Sequence, residues 1–182
     1  FDFGQDTLKI FCDGELLTTS SIVNSFNLDG TNTLKIPSPV KEGGYLVSSW
    51  SNTSQISKIA QTFWGSNITT INTTGWDTSN ITDISFAFYQ ASDLTEIVGL
   101  SGWKGNSVTT MRQAFQDAQR LSFATHNFDS TLWGASLTNL TSLLSTFRNC
   151  SLLVGGTPMN VTGWDTSNVT TMESTFFTTV FS

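Results

Sequence analysis

The residues that could do chemistry are few, and their spacing limits what they can do. Asp77, Asp83 and Glu96 could supply the acid/base pair of an enzyme acting on surface polysaccharide. Glycoside hydrolysis needs two carboxyl groups opposed across a cleft at roughly 5–10 Å, and evenly repeated positions offer no such cleft. Asp77 and Asp165 each stand three residues before an Asn, a spacing that could in principle hold Ca²⁺. Lys104-Gly105 interrupts that series, so turn and cap hydrogen bonding accounts for it better. The one histidine, His126, lies in the stretch 124–129 and reads as a solvated loop residue. No phosphate-cradling Gly-rich loop, zinc-spaced Cys/His set or Gly-x-Ser-x-Gly is present. The expectation is no metal, no cofactor, no catalytic residue and no enzyme.

A second set of residues suits binding, and a repeat positions it. Gly-Trp-Asp-Thr-Ser-Asn recurs at 75–80 and 163–168. A broader filter asks for an aliphatic residue or Met, another three on, a small residue at the sixth step and Phe at the seventh. It finds five units, ending at Phe63, Phe88, Phe115, Phe147 and Phe176, spaced by 25, 27, 32 and 29 residues. Such a period indicates a stacked array whose phenylalanines form one buried column. Directly after those phenylalanines stand Trp64, Tyr89, Gln116, Arg148 and Phe177. Trp64, Tyr89 and Phe177 are therefore expected partly exposed in a line. Thr69, Thr70, Thr95 and Glu96 add an outward face on candidate strands at 68–71 and 94–97. A third candidate strand is at 121–123.

Within each unit, Val108, Met111, Ala114 and Phe115 fall at i, i+3, i+6 and i+7, the stripe of a short helix. Asn80, Asn139 and Asn168 stand before the stripe where a helix cap belongs. Trp50, Trp76, Trp103, Trp133 and Trp164 mark the turn into each helix and are expected as stacking elements of the core. Residues 1–50 lie outside the repeat and read as an antiparallel β-unit or N-terminal cap. Asp13-Gly14 and Asp29-Gly30 would turn its hairpins, and Tyr45–Ser48 is its last strand. Three residues after each repeat Phe sits a small residue, so Cys150 is expected to be a free thiol filling the core.

Charged residues make up only 12% of the 182, while Ser and Thr exceed a quarter. Such surfaces are common in extracellular and virion proteins. The net charge of −6 argues against a nucleic-acid partner, which would need a basic face. No apolar run approaches the roughly 20 residues that span a bilayer, so no direct membrane insertion is expected. The chain begins without Met and reads as a piece of a longer polypeptide, ending inside the fifth unit. Eight Asn-x-Ser/Thr sequons occur, three of them at the expected caps.

Trp-Asp-Thr-Ser-Asn-Val-Thr-x-Met-x-x-x-Phe, best matched at 75–88 and 163–176, resembles the BspA-like bacterial surface protein repeat. The likeness covers about 51–182. It implies an α/β leucine-rich-repeat solenoid of about five coils, each with a short strand and a short helix, preceded by the small antiparallel β-unit. It also implies a non-catalytic binding or structural module exposed on a cell or virion surface, within an oligomer or repetitive assembly, engaging a host glycan or protein. A phage fibre or virion decoration protein is the alternative, and a polysaccharide-acting enzyme the second alternative. Sequons carry no meaning in a bacterial or phage-borne chain.

Overall fold

A computed structural model describes residues 56–66, 68–121, 137–150, 161 and 163–179, with short strand segments at 11–12, 15–16, 45–47, 153–154 and 157–158. β1 (Phe11–Cys12) and β2 (Glu15–Leu16) form a tight antiparallel hairpin, with Cys12 opposite Glu15, as Asp13-Gly14 leads one to expect. β3 (Tyr45–Val47) pairs antiparallel with β1 and parallel with β4 (Thr70–Asn72), which pairs parallel with β5 (Glu96–Val98). One five-stranded sheet, ordered β2-β1-β3-β4-β5, therefore joins the N-terminal hairpin to the repeats. A separate hairpin pairs β6 (Leu153–Val154) with β7 (Thr157–Pro158). The second expected N-terminal hairpin, Trp50, His126, Trp133 and the stretch 124–132 lie outside the described residues.

The five units stack through backbone hydrogen bonds. In the first unit the N–H groups of Ile59, Gln61, Phe63 and Gly65 donate to the carbonyls of Asp83, Ser85, Ala87 and Tyr89 in the second. The same four positions repeat at every interface, up to Leu143, Ser145, Phe147 and Asn149 donating to Thr171, Glu173, Thr175 and Phe177. The N–H groups between them stay local: Thr62, Trp64 and Ser66 each donate three residues back, closing successive β-turns. On the incoming side the amide and hydroxyl of Thr82, Thr109, Thr141 and Thr170 both donate to one carbonyl of the preceding unit. Single parallel bridges link Lys58, Asp83, Thr110, Ser142 and Thr171 in series.

This arrangement overturns the expected leucine-rich-repeat solenoid of strand-plus-helix coils. Among the described residues there is no α-helix, only a short 3-10 turn at Leu100–Gly102, and just two of the repeats carry a strand in the parallel sheet. The stripe expected to be helical runs over consecutive turns, because residues i and i+3 also approach when a β-turn closes. Gln61, Phe86, Gln113, Ser145 and Ser174 have φ between 52° and 62°, a left-handed conformation that an α-helix cannot contain. Gly65, Gln90, Asp117, Asn149 and Thr178 repeat it four residues later. The expected helix caps fail with the helices. Asn139 and Asn168 instead donate to the carbonyls of Asn106 and Thr138 in the preceding unit, at 2.5 and 2.7 Å.

The core follows from the stacking. Phe63, Phe88, Phe115 and Phe147 are fully buried, and Phe176 packs against them half-buried. Neighbouring ring centroids lie 5.2, 5.3, 5.5 and 5.6 Å apart, with planes within 10° of parallel. Trp76 stacks on Trp103 at 6.0 Å, and the Trp103 indole donates to the Thr73 hydroxyl at 2.9 Å. The strands expected at 68–71 and 94–97 occur as β4 and β5, displaced toward the C-terminus, with Ile71 and Ile97 buried and paired. Cys150 is a buried free thiol that donates to the carbonyl of Phe115. Thr179, at the equivalent place, donates its hydroxyl to Phe147.

Three substitutions test this packing. Phe115→Ala should cost about 3–5 kcal/mol through lost transfer energy and a cavity, measured by chemical denaturation; an unchanged midpoint would contradict the column. Gly99→Ala should destabilise much more than Gly65→Ala. At Gly65 (φ +60°) an added methyl meets nothing within 4 Å, leaving only the left-handed penalty, about 1–2 kcal/mol. At Gly99 (φ +84°) it would sit 2.8 Å from the Thr74 backbone nitrogen. Equal losses at the two positions would refute the close approach.

Candidate binding face

The repeated turns push one set of side chains outward along the stack. From Tyr89 onward, the residue after each column Phe has its carbonyl bound by the unit before it, which fixes its place in line. Trp64 is 41% exposed, Tyr89 half-buried and Phe177 55% exposed. Trp64 and Tyr89 meet edge to face at 5.3 Å. Phe177 does not join them, because Gln116, 8% exposed, and exposed Arg148 occupy the two intervening units.

The turn geometry brings in a residue that periodicity assigned to the helix. Phe86 has φ 57°, and its ring stacks on Trp64 at 5.8 Å and meets Tyr89 at 5.8 Å. Trp64, Phe86 and Tyr89 thus form a three-ring cluster, bordered by Gln90, whose amide oxygen lies 3.4 Å from the Trp64 indole nitrogen. Arg112 extends over the Phe86 ring, its guanidinium carbon 5.6 Å from the centroid. Arg148 does the same over Phe177 at 5.1 Å.

A chain of polar side chains runs from Arg112 to Asp117, where Asn149 joins it. Arg112 Nε donates to Gln113, Gln113 to Gln116 at 2.8 Å, and Gln116 to Asp117. Asn149 donates to the other Asp117 oxygen at 2.8 Å. Each amide orientation is fixed by its neighbour, so the chain presents a defined order of donors and acceptors. The sequence signal for these residues was faint: Gly65, Asp117 and Asn149 favour a left-handed turn, but Gln and Phe at the other such positions do not.

The remaining expected site residues form a second group. Thr69, Thr70, Thr95 and Glu96 lie on or beside β4 and β5, with Thr70 opposite Glu96 in the register. The Thr95 hydroxyl and amide both donate to the Thr69 carbonyl, so part of this face is committed to holding the strands. Of the candidate acid/base carboxylates, Glu96 lies in β5 while Asp77 and Asp83 serve turns. Asp77 accepts from the Ser79 amide at 3.0 Å, and Asp83 from the Ser85 amide at 2.8 Å. The Ser79 hydroxyl and amide hold the Asp77 carboxyl below the usual range, and Ser167 does the same for Asp165. Among the described residues no group of three His, Cys, Asp or Glu side chains could hold a metal ion, and no helix is long and apolar enough to cross a membrane.

Burial behind this face pushes the Cys150 thiol up to about 12. A thiol raised above its unfolded value adds stability below the unfolded pKa and loses it as pH climbs toward the folded one. Stability should therefore decline above about pH 9, and Cys150→Ser should remove that part of the decline while keeping a donor to Phe115. Denaturation midpoints of both proteins at pH 7–10.5 measure it; coincident pH profiles would refute the linkage.

No curated protein matches the chain, and no solved structure does. One family matches residues 41–151 and 138–181, described as "Mycoplasma protein of unknown function, DUF285". The matches include every unit that builds the face, and the chain belongs to this DUF285 family.

Proposed function

We propose that this chain is a non-catalytic binding module of a surface-exposed protein, acting in adhesion to, or recognition of, a host glycan or protein. The observation that carries the reading is the outward strip on the repeated turns. Exposed Trp64, with half-buried Phe86 and Tyr89 beside it, leads into an ordered polar chain, and exposed Phe177 lies further along the stack. Aromatic faces with fixed amides alongside suit sugar rings and peptide surfaces, and such a strip uses surface that the core does not need. The Trp-Asp-Thr-Ser-Asn motif and the DUF285 match support kinship with BspA-like surface proteins at the level of sequence, without the leucine-rich-repeat fold. A cell-surface, extracellular or virion location follows from the same reading, as does an absence of nucleic-acid partners and cofactors.

Individual contacts on a shallow strip are weak, so useful affinity should come from many copies displayed together. The test is a glycan and cell-surface binding screen of the monomer against an artificially multimerised form, with Trp64→Ala and Tyr89→Ala. Multimer binding about 100-fold above the monomer, reduced by both substitutions, is the expected outcome. Equal and strong monomer binding would contradict multivalency. Turnover of a glycan, abolished by Asp77→Asn or Glu96→Gln, would overturn the binding class.

A further inference from the structure

The charge on the strip runs against the charge of the chain. The molecule carries −6 overall and only eight Lys and Arg residues. Two of those eight, Arg112 and Arg148, lie on the binding strip in adjacent units, exposed, and held over Phe86 and Phe177. Neither guanidinium has a carboxylate partner among the described residues, whereas Arg120 of the same region pairs with Asp93 at 3.5 Å. A guanidinium seated on a ring is pre-oriented, and its planar fork matches a carboxylate with two parallel hydrogen bonds. Asp117 accepts from Gln116 and Asn149 on the strip, so its carboxylate would repel a dense polyanion.

We infer that the strip takes a glycan whose sugars carry single, spaced carboxylates. The inference rests on the glycan-binding form of the proposed function. Arg112 and Arg148 receive the carboxylates, the rings of Trp64 and Tyr89 support a sugar face, and the Gln113 amide meets hydroxyls. The places of the two cations in adjacent units set the spacing.

The experiment uses the full 182-residue chain, multimerised, with three kinds of probe: hyaluronan hexasaccharide and sialyllactose as carboxylated glycans, their carboxyl methyl esters, and a heparin hexasaccharide. Binding of a carboxylated probe, lost on esterification, is expected. Arg112→Gln and Arg148→Gln should each weaken it about tenfold or more, as removal of a charge-assisted hydrogen bond does. Arg120→Gln should leave it unchanged. Both arginines are exposed, and unaltered melting curves would separate lost binding from lost folding. Preference for heparin, or equal binding of acid and ester, would overturn the carboxylate assignment while leaving a glycan-binding module. Protein-only binding, or no binding to any glycan, would overturn it together with the glycan reading on which it rests.

Discussion

Everything in this molecule depends on a backbone that bends sharply while still donating sideways. A run of β-turns normally spends its amides on itself. Here every second N–H escapes to the neighbouring unit, and the residues that allow it are those forced to positive φ. Gln61, Phe86, Gln113 and Ser145 all send their amides across an interface, as do Gly65, Gln90, Asp117 and Asn149. A left-handed conformation costs about 1–2 kcal/mol for a residue with a Cβ. An amide left unbonded in the interior would cost a similar amount or more, so the strain persists because the ladder needs it. The phenylalanine stack, the threonine series and the outward strip all inherit their register from this pattern.

Much of the side-chain plan was legible in the sequence, and the backbone plan was not. Phe63 through Phe176 form the column that their spacing implies, because burial of a repeated ring depends only on the repeat being stacked. Cys150 and the Asp13-Gly14 hairpin were legible for similarly local reasons. The turns were not, since an i, i+3, i+6, i+7 stripe belongs equally to a helix and to consecutive turns. The decisive clue would have been a left-handed residue at two fixed positions, and Gln, Phe and Ser at those places give no such signal. The same blindness hid half of the candidate face. Trp64 and Tyr89 could be placed by counting from the column, whereas Phe86 points outward only because its own φ is positive.

Unit length varies where the ladder does not reach. From the Ser or Thr before the bridge residue to the small residue after the Phe, every unit has the same number of residues, since each alternate amide must find its carbonyl. The differences of 25, 27, 32 and 29 residues fall between these segments, across β4, β5 and the Trp-bearing turns. Extra residues there lengthen a connection without shifting a hydrogen bond.

The ladder also has a direction. At each of the four interfaces four amides on the turn side point from the earlier unit to the later one, while the threonine series sends one amide back. Peptide units carry dipoles of about 3.5 D that add when aligned. The stack is thus polarised across its units as an α-helix is along its axis, with the positive pole toward the fifth unit. A molecule without an α-helix among its described residues thereby carries a macrodipole of the helical kind, laid perpendicular to the run of its chain.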